Sequence, residues 1–202
     1  MATPRRFKPT DAFVDESIRG QRYYMACVLA RAHDLPALRN EVTSWTGAKS
    51  RRVHFNAELN HRRHALLEEI ATLHLQAFVI VCRRNHGVSE FEARERCLAE
   101  VVRRLQLSSI DRVVIESRQD DLDDERTIHR YRAPEPRLIC EHRRGVDEPM
   151  LWIADGVAWA VGAGPWAIGF GLRALGCGLG ALGSGRIARV APQSRPTALP
   201  RR

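Results

Sequence analysis

Apolar and polar residues alternate in blocks that predict a hairpin followed by helices and strands in turn. Phe13-Val14 leads into Asp15-Glu16-Ser17, and after a polar break at Arg19-Gly20-Gln21 a second apolar run follows, Tyr23 to Leu29. Two short aromatic and β-branched runs joined through a glycine read as antiparallel strands, the first ending at Asp15. Asp34, with Pro36 in the first turn, predicts a helix whose Leu38, Val42 and Trp45 form one stripe, ended by Gly47. Arg51 to Phe55 reads as a short extended piece. A helix over 60–73 places Leu66, Leu67, Ile70, Ala71 and Leu73 inward. Leu75 to Cys82 is nearly continuously apolar, as a central strand buried on both faces would be.

Ser89 and Glu92 form a capping box for a helix with Phe91, Leu98, Val101, Val102 and Leu105 on one face. Residues 111–117 are the next strand, 138–142 another, and residues 118–130, with Asp120, Asp121, Asp123 and Asp124, read as a solvated loop. Asp147-Glu148-Pro149 opens an apolar helix from Met150 to Val161. Strands in a hairpin and then alternating with helices predict an α/β fold with a mixed sheet. The expected organisation is an N-terminal tail over 1–10, one domain over 11–163, and a flexible Gly/Ala/Leu-rich tail over 164–202. Residues 156–172 carry no charge, at the lower limit of about 17 residues for a membrane span. Pro165 and the glycines weigh against stable insertion, and a membrane-associated tail is the weakest of the readings.

The net charge of +8 over 202 residues rests on arginine, since Lys8 and Lys49 are the only lysines. A basic balance is compatible with a nucleic-acid partner, but the arginines are spread along the chain and the charge alone decides little. Five cysteines without a CxxC pair indicate reduced, buried thiols and a cytoplasmic setting, with no secretory signal in view. No Walker loop, no GxGxxG after a strand and no GxSxG occurs, which disfavours nucleotide-hydrolase and serine-hydrolase chemistry.

The candidate chemistry lies in acids embedded in apolar sequence. Asp15 shares a strand face with Phe13 and Glu16 with Val14. At least one carboxylate therefore points to an apolar side, where it needs a metal ion, an arginine or a wet strand end. Glu116 closes the strand Val113-Val114-Ile115, and Asp155 is the only charge in an otherwise apolar helix. Acids from two strand ends and a helix would repel one another on converging, and Mg²⁺ or Mn²⁺ relieves that repulsion with hard oxygen ligands. His54, between Val53 and Phe55, reads first as a half-buried strand histidine and second as a catalytic one. His61 and His64 read as a solvated helix face. Arg83, Arg84 and Arg118 are candidates for holding a phosphate backbone.

Phe-Val-Asp-Glu-Ser at 13–17, Val-His-Phe at 53–55 with a following glutamate, Val-Ile-Glu-Ser at 114–117 and Glu-Pro-Met-Leu-Trp-Ile-Ala-Asp-Gly-Val-Ala-Trp-Ala at 148–160 occur in this order. Over residues 11–163 the chain resembles an uncharacterised bacterial family, the domain-of-unknown-function family numbered three thousand eight hundred. The sequence after Ala163 departs from it. The resemblance implies a ribonuclease H-like fold with metal-binding acids at Asp15, Glu116 and Asp155, and Glu16 and Glu148 as second choices. It implies a fold more firmly than a reaction. The expected function is a Mg²⁺- or Mn²⁺-dependent nuclease or phosphodiesterase. The alternative is a non-catalytic nucleic-acid or protein-binding module whose acids are paired with arginines.

Overall fold

The computed structural model describes residues 8–47, 50–73, 75–84, 87–108, 110–119, 121–135, 138–164 and the backbone of 178–182. A mixed sheet forms the centre. Its strands are β1 (Asp11–Arg19), β2 (Arg22–Ala30), β3 (Gln76–Arg83), β4 (Arg112–Glu116), β5 (Ile139–Arg143) and β6 (Gly178–Leu182), in the order β5-β4-β1-β2-β3-β6. β1, β2 and β3 are antiparallel neighbours, whereas β4 runs parallel to β1, β5 parallel to β4 and β6 parallel to β3. The hairpin is longer than its apolar runs indicate. β1 continues through Asp15 and Glu16 to Arg19, because every residue of 11–19 pairs with one of 22–30 across the Gly20-Gln21 turn. Asp15 is therefore a mid-strand residue and not a strand end.

Five helices cover the two faces: α1 (Leu35–Ser44), α2 (Asn60–Thr72), α3 (Glu90–Leu107), α4 (Asp121–Tyr131) and α5 (Met150–Ala163). The alternation of β1 divides the core in two. Phe13 joins a cluster with Tyr24, Ala26, Val28, Phe55 and Ile70 and with Met150, Ile153 and Val157 of α5. Ala12 and Val14 join the opposite cluster, with Tyr23, Met25, Cys27, Ile80 and the α3 residues Cys97, Leu98, Val101 and Leu105. α5 is buried almost all round, as its composition requires. Gly156 is needed for that packing: a Cβ there would lie 2.6 Å from Phe55 Cζ and 2.8 Å from Ile70 Cδ1.

The capping box of α3 forms as the sequence predicts, with Ser89 Oγ accepting from Glu92 N at 3.1 Å and Glu92 Oε2 accepting from Ser89 N at 2.8 Å. Three expectations are corrected. The acid-rich stretch after β4 is not a loop: from Asp121 it is α4, with Asp124, Thr127 and Ile128 buried. Its polarity hid an amphipathic helix whose inward acid is paired. β3 is not central but fifth in order, between β2 and β6. Residues 51–55 form no strand; they are an irregular segment held by side-chain bonds. In the expected flexible tail, Gly178–Leu182 pairs with Phe78–Cys82 as β6, and the rest lies outside the described residues. No described helix is long and apolar enough to cross a membrane.

On the α3 side a buried ion network ties the layers together. Arg94, only 4 % exposed, donates to both oxygens of Asp124 at 2.8 and 2.6 Å, to Glu16 Oε2 at 2.7 Å and to Tyr23 Oη at 3.2 Å. Arg118 donates to the other Glu16 oxygen at 2.6 Å. Removing one member of such a group leaves the others charged, buried and unpaired, which costs about 3–5 kcal/mol. Arg94→Ala is accordingly expected to lower the unfolding free energy by about that amount, measured by urea denaturation. A loss under about 1 kcal/mol would mean that Arg94 does not join α3 to α4 and β1.

Candidate metal centre

Alternation on β1 sends its two adjacent acids to opposite faces, and the faces treat them differently. Glu16 meets the two arginines of the α3 side. Even so, burial raises its pKa, and Arg94 and Arg118 offset this only in part. Asp15 points to the α5 side, is 6 % exposed, and accepts a hydrogen bond from the Glu16 backbone N–H at 2.7 Å. No cation pairs with it among the described residues. Its neighbours are acids: the parallel register that sets Val14 beside Ile115 brings Glu116 next to it, and α5 supplies Asp155. Burial first, then Glu16, a hydrogen bond shared with Glu116 and the charges of Glu116 and Asp155 hold the Asp15 pKa well above the ordinary carboxylate range.

Glu116 shifts the opposite way. Burial opposes its charge, but the Asp15 hydrogen bond, Arg52 and His54 prevail and hold its pKa below the usual value. Arg52 Nη1 donates to Glu116 Oε1 at 2.6 Å. Gly145 closes over this contact so tightly that a Cβ there would lie 2.5 Å from Arg52 Nη1 and 2.7 Å from Glu116 Oε1. Asp155, one residue before the close-packed Gly156, is 5 % exposed. Its Oδ2 accepts from the Phe55 backbone N–H at 2.8 Å and lies 3.0 Å from His54 Nδ1. The hydrogen bond to Asp155 raises the pKa of His54, whose side chain is 43 % exposed.

The fold thus brings Asp15, Glu116, Asp155 and His54 to one place at the α5 side of β1 and β4. The other acids singled out in the sequence lie elsewhere. Glu16 is on the far face. Glu148 caps α5, accepting from Met150 N at 3.2 Å, and joins α1 through a two-point pair with Arg39 at 3.0 and 2.7 Å. Among the arginines, Arg118 is committed to Glu16 and Glu90. Arg83 is exposed at the end of β3, and Arg84, whose backbone N–H donates to Gln21 O at 2.7 Å, keeps a buried Nε without a hydrogen-bond partner among the described residues. Arg52 was missed as a site residue. Its only sequence signal is its place two residues before His54.

A second group was also missed, because residues 118–130 read as a loop. Ligand atoms of Asp121, Asp124 and His142 lie within 4.8 Å of one another, the tightest such grouping among the described residues. Asp121 and His142 border a cavity of about 490 Å³ that also meets Glu125, His129 and Cys140. Prior bonds hold the group: Asp124 has Arg94, and Asp121 accepts from Ser117 Oγ at 2.6 Å and Arg118 N at 2.7 Å. The α5-side carboxylates are less tightly gathered, Glu116 being drawn to Arg52 and Asp155 to His54 and Phe55. Yet among the described residues only there does a buried acid face other acids with no cation of its own, and a hard divalent ion suits such a donor set.

Burying Asp15 ties stability to pH. A carboxyl with a raised folded pKa contributes stability below its unfolded pKa and loses it as pH rises through the folded value. Asp15→Asn cannot ionise. Urea denaturation of metal-free protein from about pH 5 to about pH 9 is expected to show wild type losing stability relative to Asp15→Asn as pH rises. Parallel curves would show that Asp15 ionises without penalty.

No protein-family model and no curated protein matches the chain. Solved structures do. A ribonuclease H2 from Pyrococcus horikoshii OT3 aligns with a TM-score of 0.52 and 16 % identity, over 74 % of this chain and 70 % of that one. A glutamine-to-alanine mutant of Bst-RNase HIII aligns with a TM-score of 0.51 and 12 % identity, over 77 % of this chain. The alignment spans only 52 % of that protein's own length. At these identities the likeness concerns architecture: the mixed sheet flanked by helices is a ribonuclease H-like fold.

Proposed function

We propose that the protein is a metal-dependent nuclease or related phosphodiesterase, in which Asp15, Glu116 and Asp155 hold Mg²⁺ or Mn²⁺. The observation that carries this reading is Asp15. It is a carboxyl buried in mid-strand, turned away from the arginines that serve Glu16 and toward two further acids. The fold shared with ribonucleases H2 and HIII supports it, as does the resemblance to the family numbered three thousand eight hundred. The free thiols Cys27, Cys82, Cys97 and Cys140 suit a reducing, cytoplasmic setting.

In this reading Asp15, Glu116 and Asp155 would hold the ion, with Asp15 ionised and Arg52 remaining beside Glu116. The Phe55 N–H keeps Asp155 oriented through the α5 packing. A divalent ion held there supplies Lewis-acid polarisation of a phosphodiester and an activated water. His54, bonded to Asp155 and still partly open to solvent, is placed to exchange a proton with a departing oxygen.

One observation favours the alternative of a non-catalytic binding module. Glu116 already has Arg52 and Asp155 already has His54, so two of the three acids are charge-compensated without metal. Melting with and without Mn²⁺ separates the readings. With Mn²⁺ at about a hundred times its dissociation constant, wild type is expected to gain about 2.7 kcal/mol, or about 5–10 °C. Asp155→Asn should keep the fold, lose most of that gain and fail to cleave DNA or RNA in the presence of the metal. Equal metal response and equal cleavage by Asp155→Asn would refute the assignment.

A further inference from the structure

The strand pairing places three arginines in a row across the sheet. Arg19 on β1 lies opposite Arg22 on β2, and Arg22 lies opposite Arg83 on β3. Directly paired residues of antiparallel strands share a face. The face is that of Asp15, since Arg19 lies four residues further along the same strand and its Cδ would be 3.2 Å from a Cβ on Gly162 of α5. Like charges set opposite one another on neighbouring strands are destabilising. Ion pairs are abundant elsewhere in this molecule, yet none serves these three side chains among the described residues. Arg19 lies over the Trp159 ring at 5.1 Å, which orients its guanidinium, while its Nε and Nη2 are buried without hydrogen-bond partners. Arg63 lies over the same ring at 4.9 Å. Arg22 and Arg83 are exposed.

We infer that this arginine row is a docking track for the phosphate backbone of the nucleic acid presented to the Asp15 site. A run of anions relieves the repulsion among the arginines, reaching the exposed guanidinium groups of Arg22 and Arg83 while Arg19 is held against Trp159. Four residues of strand separate Asp15 from Arg19, about 13 Å, close to the advance of about four base steps of a duplex strand. The track therefore engages phosphates a few nucleotides from the position at the carboxylates. The inference rests on the nucleic-acid part of the proposed function and is independent of whether cleavage occurs.

The test uses full-length protein carrying Asp155→Asn, without divalent metal, and a fluorescein-labelled DNA duplex of about 20 base pairs. Anisotropy is followed over a range of salt concentrations. Adding Arg22→Gln and Arg83→Gln is expected to weaken binding at least about tenfold and to make the slope of log K against log salt shallower by about 1–2, as for the loss of two phosphate contacts. The same double change should leave the melting temperature of the free protein unchanged or raised, because repulsion is removed. A merely structural role would lower it.

The inference is overturned if the parent does not bind the duplex, if affinity falls without a change in slope, or if polyglutamate competes as well as DNA on an equal-charge basis. That last result would mark the track as a site for acidic protein. Loss of the Mn²⁺ response at the carboxylates with duplex binding intact would sink the nuclease reading and leave the track standing.

Discussion

The cost of burying two adjacent carboxylates on one strand governs this structure. Alternation along β1 forces Asp15 and Glu16 to opposite sides of a sheet that is covered on both. On one side the cost is met within the protein. Arg94 and Arg118 reach Glu16, Arg94 also takes Asp124, and the resulting network joins β1, β2, α3 and α4. On the other side it is left open. Asp15 faces Glu116 and Asp155, and the nearby Arg52 and His54 are bonded to those two acids. That asymmetry separates a structural acid from a candidate ligand with the same sequence context. It also accounts for opposite pKa shifts in a contacting pair: Asp15 is pushed up, and Glu116 is pulled down by the cations beside it.

The rest of the fold makes this arrangement repeatable. Parallel pairing of β4 with β1 fixes Glu116 beside Asp15. The apolar helix α5 lies across the same face because nearly its whole circumference is buried, and Gly156 lets Phe55 approach closely enough for its N–H to hold Asp155. The segment from Arg51 to Phe55 has no regular structure. It is nevertheless fixed at both ends of its function, by Arg52 on Glu116 and by His54 and Phe55 on Asp155. The loop is thus anchored through the acids themselves.

Much of this was legible in the chain, and the failures have definite causes. Period-two apolar runs gave the hairpin, the serine–glutamate box gave the start of α3, and the lone acid in an apolar helix drew attention to Asp155. The end of β1 is hidden in the sequence because the adjacent acids Asp15 and Glu16 look like the close of the apolar run, although cross-strand pairing carries the strand on to Arg19. α4 was read as a loop because Asp124, a residue that ordinarily stays exposed, is turned inward to meet an arginine thirty residues earlier. No local pattern encodes such a long-range partner. For the same reason the sequence does not mark Arg52, and it marks Arg83 without its alignment with Arg19 and Arg22. Their meaning comes from register and from contact across the sheet.

The central claim is that a divalent ion belongs among Asp15, Glu116 and Asp155, on the α5 side of β1. Anomalous diffraction from crystals equilibrated with Mn²⁺ tests it most directly. The account expects a peak among the carboxylates of Asp15, Glu116 and Asp155. A peak confined to Asp121, Asp124 and His142 would contradict it.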